Sequence, residues 1–288
     1  LSGAGGGTIN NVKAGVDLLV TASSGGETIN VVDATKAANT SDVFDITFAA
    51  DAVTGVAPTA ANVTAGTIAL AGVETVNIAS GGGANTWNSL TLTDDAAKAV
   101  NITGSQNVDL TVTNQATVGA ATDQALASID ASAATGKVSI TAGADFDGTI
   151  KLGSNDDTAI VLNDATVTTG AGKDTVNVVG ATGVDEIVTI TDFTVKTDKI
   201  TFEDQGTETF TSTKVDVGAA TTFTEALNIA AAGDGSANGI VNWFQYAGDT
   251  YIVEDVSAGG SFATTDHAVK LTGLVDLSTA TVADFNFA

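Results

Sequence analysis

Between about Ala65 and Ile190 the chain alternates between apolar and polar positions. An apolar-x-apolar pair recurs, each followed by Thr, Asn, Asp or Gly. Examples are Val76 and Ile78, Leu90 and Leu92, Val100 and Ile102, and Val108, Leu110 and Val112. Further on come Val138 and Ile140, Ile150 and Leu152, and Ile160 and Leu162. Period two turns one face of a strand inward and the other outward. The strands it predicts are short, about three to five residues. A β-sandwich and a parallel β-solenoid both repeat strands at such intervals. Sandwich strands run longer and are joined by two-residue turns such as Asn-Gly. Here the only Asn-Gly is Asn238-Gly239. The pattern therefore favours the solenoid, and the fold class expected is all-β.

The first sixty residues are β-rich but less regular, and longer insertions are expected there. After Phe202 the pattern changes. Thr222 and Glu225 stand at capping-box spacing, ahead of Ala and Leu and then Gly233. This predicts one short helix over about residues 223–231. Two apolar, aromatic-rich runs flank Ala247-Gly248-Asp249 and predict a hairpin. DHAVKLTGLVDLS adds a strand. Three regions follow: a degenerate β-repeat solenoid over 1–150, glycine-rich coils over 151–202, and a helix-and-hairpin region over 203–288.

Composition sharpens this picture. The chain has 288 residues with 34 acidic and 10 basic side chains, a net charge of -24. All the basic residues are lysines, and Asp outnumbers Glu. Asp suits tight turns and oxygen-ligand cation sites. Such a charge disfavours nucleic acid or an anionic membrane as partner. There is no cysteine, so neither a disulfide nor a thiolate metal site is possible. There is no methionine either, which marks Leu1 as other than a native start. No apolar stretch reaches the ~18 residues needed to span a bilayer.

The chemistry concentrates in glycine turns. Calcium takes six or more oxygens in flexible geometry. Backbone carbonyls supply them where glycine lets the chain fold closely round the ion. The repeat Gly-Gly-x-Gly-x-Asp-x-apolar-x does this. Thr169–Asn177 reads T-G-A-G-K-D-T-V-N, with only the first glycine replaced. Gly180–Val188 reads G-A-T-G-V-D-E-I-V, with only the second replaced. GSNDDTAIV, from Gly153, is a looser copy. With two nine-residue halves per coil, sites form between turns about 18 residues apart. Asp156 lies 18 before Asp174, Asp157 lies 17 before it, and Asp192 lies 18 after it. Spacing does not choose between Asp156 and Asp157. ADFDGT, with Asp145, Asp147 and Gly148, is either another calcium loop or a solvated turn.

The segment after these turns has the form I-x-D-F-x4-D-x-I-x-F, with Asp192, Phe193, Asp198, Ile200 and Phe202. This resembles the segment that closes the glycine-rich block of RTX (repeats-in-toxin) proteins. The end, WFQYAGDTYIVEDVS to DHAVKLTG, is similar to the C-terminus of RTX-type bacterial surface-layer proteins. LAGVETVNIAS is similar to their repeats. The motif match covers about residues 150–202, with a second patch over 240–288.

The resemblance implies a structural, non-enzymatic subunit of an extracellular surface layer on a bacterial cell. It implies export by type I secretion machinery on a C-terminal signal, folding in external calcium, and a lattice of copies of the chain. It implies calcium-site roles for Gly170, Gly172, Asp174, Gly183 and Asp185. Gly153, Asp156, Asp157, Asp192 and Asp198 complete the candidate set. The other reading is an RTX calcium-binding and secretion module of an adhesin or hydrolase whose functional domain lies upstream.

Other candidates are weaker. His267 is the sole histidine, so no zinc site can be completed from it. No HExxH and no Gly-x-Ser-x-Gly is present. Trp87, Trp243 and Tyr246 are candidates for glycan contact or, more commonly, for packing.

Overall fold

The structure is a computed structural model. It describes residues 6–13, 15–32, 34–35, 41–49, 62–82, 87–114, 126–143, 146–162, 164–178, 183–184, 186–202, 208–231, 239–257 and 259–287. The chain divides into two compact units, residues 1–157 and 158–288.

In the N-terminal unit the strands alternate between two sheets. One holds β1 (Gly7–Val12), β3 (Gly26–Val31), β5 (Val63–Leu70), β7 (Trp87–Asp94), β9 (Asn107–Asn114) and β11 (Val138–Thr141), in that order. The other holds β2 (Leu18–Val20), β4 (Val43–Phe48), β6 (Thr75–Ser80), β8 (Ala99–Gly104), β10 (Ser128–Ala134) and β12 (Thr149–Lys151). Neighbours in both sheets are parallel. Each coil thus lays one strand on each sheet, and the fold is an all-β parallel solenoid.

The apolar pairs set the phase. Val76, Ile78, Leu90, Leu92, Val100, Ile102, Leu110 and Ile140 are buried, because burying a Val or Leu is worth about 1.5–3 kcal/mol. Outward positions carry polar ladders. Asn101 Nδ2 donates to Asn77 Oδ1 (2.8 Å), and Asn77 Nδ2 donates to Asp45 Oδ1 (2.7 Å).

In the C-terminal unit β13 (Thr158–Ile160), β15 (Thr175–Asn177), β17 (Lys199–Phe202) and β22 (Phe285–Phe287) form a parallel sheet. A second sheet runs β14 (Thr166–Thr168), β16 (Val188–Ile190), β21 (His267–Leu271), β20 (Asp249–Asp255), β19 (Ile240–Tyr246) and β18 (Thr209–Phe210). β20 is antiparallel to both of its neighbours. β21 and β22 pair parallel with β16 and β17, so the chain's end rejoins the solenoid sheets rather than standing apart.

Two sequence expectations need correction. Ile160 and Leu162 are only half-buried, and Ala159 and Val161 face inward instead. In Thr158–Leu162 both phases carry apolar residues, so alternation alone does not choose. Coil length is also not uniform. The step from Thr158 to Thr175 is 17 residues, and the step from Thr175 to Lys199 is 24.

The helix α1 (Phe223–Ala230) forms as expected, with the Thr222 and Glu225 side chains each capping the other's backbone N–H. Gly233, its expected stop, lies outside the described residues. Ala226, Leu227 and Ala230 face Phe244, Tyr251, Val253 and Ala268. Ala247 (φ 51°) and Gly248 (φ 94°) close the β19–β20 hairpin with positive φ at both central positions, as a type I′ turn requires. Among the described residues no helix is long and apolar enough to cross a membrane.

Candidate functional site

Six acidic residues stand where a strand opens: Glu27, Asp42, Glu74, Asp157, Asp174 and Asp198. Two residues on, each is followed by a buried apolar side chain: Ile29, Phe44, Val76, Ala159, Val176 and Ile200. Period two puts position i on the face of i+2, so each acid also points inward. All six are buried, between 1% and 8% exposed.

A buried carboxylate is costly unless hydrogen-bonded. Here backbone N–H groups of the preceding coil, or of the acid's own turn, supply donors. Gly7 N donates to Glu27 Oε2 (2.9 Å) and Asp42 N to Glu74 Oε2 (2.8 Å). Val138 N donates to Asp157 Oδ1 and Gly153 N to its Oδ2, both at 2.7 Å. Asp174 N donates to Asp198 Oδ1 (3.2 Å) and Thr194 N to its Oδ2 (2.8 Å).

The glycine turn of the C-terminal unit adds a second layer. Gly170 (φ 84°) and Gly172 (φ 142°) hold left-handed backbone that side-chain-bearing residues rarely adopt. They bring the chain from β14 into Asp174, which is 1% exposed at the head of β15. Asp192 receives the start of this turn. Its Oδ1 accepts from Thr169 N (2.7 Å) and Thr169 Oγ1 (2.9 Å), and its Oδ2 accepts from Gly170 N (2.9 Å). The Thr169 hydroxyl also lies 3.5 Å from Asp198 Oδ2, so the two carboxylates flank it. Burial pushes the Asp198 carboxyl above its usual range, and the Asp192 charge adds to the effect.

The structure thus brings Gly170, Gly172, Asp174, Asp192 and Asp198 into one turn cluster. The stacking partner of Asp174 is Asp198, 24 residues on, rather than Asp192 at 18. Asp156 and Asp157, the two alternatives that spacing left open, differ in direction. Asp157 is 2% exposed and caps two backbone N–H groups. Asp156 faces solvent and pairs with Lys137 Nζ at 3.4 Å. Gly153 stands beside Asp157, and an added Cβ there would lie 2.8 Å from Ala134 O. Gly183 donates its N–H to Asp266 O (2.9 Å). Asp185 and Asp145 lie outside the described residues. Asp147 faces solvent, and Gly148 serves close packing, since a Cβ there would lie 2.5 Å from Ala127 O.

One carboxylate escaped sequence reasoning. Asp94, 4% exposed, accepts from Ala96 N through Oδ1 at 3.0 Å. Burial pushes this carboxyl up to about 7, with Asp95 and Glu74 adding repulsion. Its signal was present in Asp94-Asp95, where alternation can turn only one acid outward. His267 is wholly buried, with Nδ1 2.9 Å from Glu254 Oε2 and the Phe202 ring edge-on at 6.3 Å.

Chemically, the turn cluster offers oxygen alone: carboxylates, a hydroxyl and backbone carbonyls. That donor set suits a hard cation. Among the described residues no three acid, cysteine or histidine side chains converge on a metal position. A cation there would therefore rely on backbone carbonyls beside one or two carboxylates, as glycine turns permit. No protein-family model matches the chain, and no curated protein matches it.

Proposed function

We propose that this chain is a structural subunit of a bacterial surface layer of the repeats-in-toxin type, exported by type I secretion. In this reading it folds in external calcium and assembles with copies of itself at the cell surface. The observation that carries the reading is the Thr169–Asp174 turn, with left-handed Gly170 and Gly172 delivering a buried Asp174 beside Asp198.

Asp174 and Asp198 would hold the ion, with Gly170 and Gly172 lending carbonyls. Bound calcium would supply positive charge among carboxylates that otherwise repel one another. In its absence the chain's -24 charge favours an expanded state suited to passage through a channel. Outside the cell, binding and folding become one transition. The reading gives the chain no catalytic role.

The test is a calcium titration of EGTA-treated protein, followed by circular dichroism and light scattering together. β signal that requires calcium, with particles that grow, is the expected result. Calcium-dependent folding without growth would point instead to a module serving a separate functional domain. Full β signal in EGTA, unchanged by calcium, would overturn the calcium reading.

A further inference from the structure

The turn that carries Asp192 and Asp198 is hydrogen-bonded to two separate segments of the C-terminal unit. One is the glycine turn, whose Thr169 and Gly170 N–H groups both end on Asp192. The other carries Asp284, which is 4% exposed and stands 88 residues beyond Lys196. Asp284 Oδ1 accepts from Lys196 N at 2.6 Å. Its Oδ2 accepts from Thr281 N (2.8 Å) and Thr281 Oγ1 (3.2 Å), which closes a single 3-10 turn over Val282–Asp284.

Lys196 is the strained point of the turn. Thr197 N and Asp198 N both donate to Thr194 O, at 3.0 and 2.9 Å, so 194–198 is one helical turn that does not continue. Within it Lys196 holds φ 64°, left-handed backbone that is costly for any residue with a Cβ. Such a conformation persists where surrounding contacts over-determine it. A buried carboxylate accepting the Lys196 N–H is a contact of that kind, and hydrogen bonds to carboxylates are the stronger class. The same turn sets Asp198, which accepts from Thr194 N and from Asp174 N.

The segment that carries Asp284 is itself anchored. Phe285–Phe287 pair in register with Ile200–Phe202, which follow Asp198 closely. Phe285 is 2% exposed, with the Phe210 ring at 4.7 Å and the Phe202 ring at 6.2 Å. Aromatic burial drives the segment to dock, and the carboxylate gives the docking a direction.

We propose that Asp284 is a positioning residue for the candidate cation turn, and that Thr281–Phe287 is the clasp that sets it. Docked, the clasp holds Lys196 left-handed and, with it, Thr194 and Asp198 in place beside Asp174. Undocked, Lys196 leaves φ 64° and Asp198 loses its post. Coupling between two sites is reciprocal. A cation held by Asp174 and Asp198 would therefore tighten the clasp, and the clasp would raise cation affinity by the same factor. That last step rests on the calcium reading, whereas the clasp itself does not.

The test uses the full chain in calcium, as the parent, Asp284→Asn, Lys196→Gly and the double variant. Asp284→Asn keeps the volume but replaces one acceptor oxygen with an amide donor, so Lys196 or Thr281 loses its partner. Amide hydrogen exchange is read residue by residue by NMR. In Asp284→Asn, exchange should speed at least about fivefold at Lys196 and also at Gly170 and Asp174, while amides of the β19–β20 hairpin keep their rates. Glycine adopts φ 64° freely, so in the double variant the Gly170 and Asp174 rates should return to within about twofold of Lys196→Gly alone. Calcium affinity, by titration calorimetry, should fall at least about fivefold in Asp284→Asn. The proposal is overturned if only Lys196 exchanges faster, if the hairpin amides speed in step, or if Lys196→Gly restores nothing. Should Asp284→Asn fail to fold, the double variant must fold, and its failure overturns the proposal as well. A parent chain that binds no calcium would sink the calcium reading alone and leave the exchange rates to decide the clasp.

Discussion

Asp157 in the N-terminal unit and Asp198 in the C-terminal unit hold the same post in their coils. Each opens toward the interior, is nearly fully buried and takes two backbone N–H groups, one from the preceding coil. Their neighbours differ. Asp157 has Asp156 turned outward onto Lys137. Asp198 has Asp192 on its own turn, on the other side of the Thr169 hydroxyl, and that hydroxyl leads into the left-handed Gly170 and Gly172. The first arrangement consumes its negative charge locally. The second brings two carboxylates to either side of one hydroxyl. Asp94 supplies the third case, a buried carboxylate with two other acids, Asp95 and Glu74, near it.

The largest expected effect concerns Asp94. Its folded-state pKa, about 7, stands above the unfolded value near 3.8. Ionisation therefore opposes folding: the contribution to stability is fully present below the unfolded pKa and lost as pH rises through 7. One pKa unit is about 1.4 kcal/mol, so moving from pH 8 to pH 5 should stabilise the protein by about 3 kcal/mol through this carboxyl. Urea melts at the two pH values measure it. Asp94→Asn should remove most of that difference. Asp157 and Asp198, raised in the same direction by burial, keep a residual slope.

A smaller effect separates neighbours. Asp157→Ala strands two buried N–H groups and should cost about 2 kcal/mol. Asp156→Ala removes only an exposed ion pair and should cost less than about 0.5 kcal/mol. Denaturation midpoints of the two variants decide. Equal losses would mean that inward direction is not what matters at these posts. A further effect, smaller than that of Asp157→Ala, tests the glycine turn. Gly170→Ala should cost about 1 kcal/mol by forcing a Cβ into left-handed backbone. If calcium acts there, its stabilising effect should shrink further in this variant, as thermal melts with and without calcium would record.

Much of the fold was legible in residue order. Period-two pairs such as Val100 and Ile102 fixed inward faces because only one phase was apolar. Where both phases were apolar, at Thr158–Leu162, the reading slipped by one residue. The capping box at Thr222–Glu225 and the Ala247-Gly248 turn were local signals and formed where expected. The glycines of the candidate turn were legible for the same reason, since a left-handed position constrains its own residue type.

The pairing between coils was not legible. Strand alternation records which face a residue takes but not which residue of another coil lies beside it. Coil length varies with each turn, so Asp174 meets Asp198 rather than the evenly spaced Asp192. Sequence alone determined an acidic all-β solenoid with glycine turns, because face and turn geometry are properties of a few adjacent residues. Only the tertiary structure decided which carboxylates are buried and which backbone N–H groups they cap. Those depend on register between distant segments, which is set by the packing of whole coils.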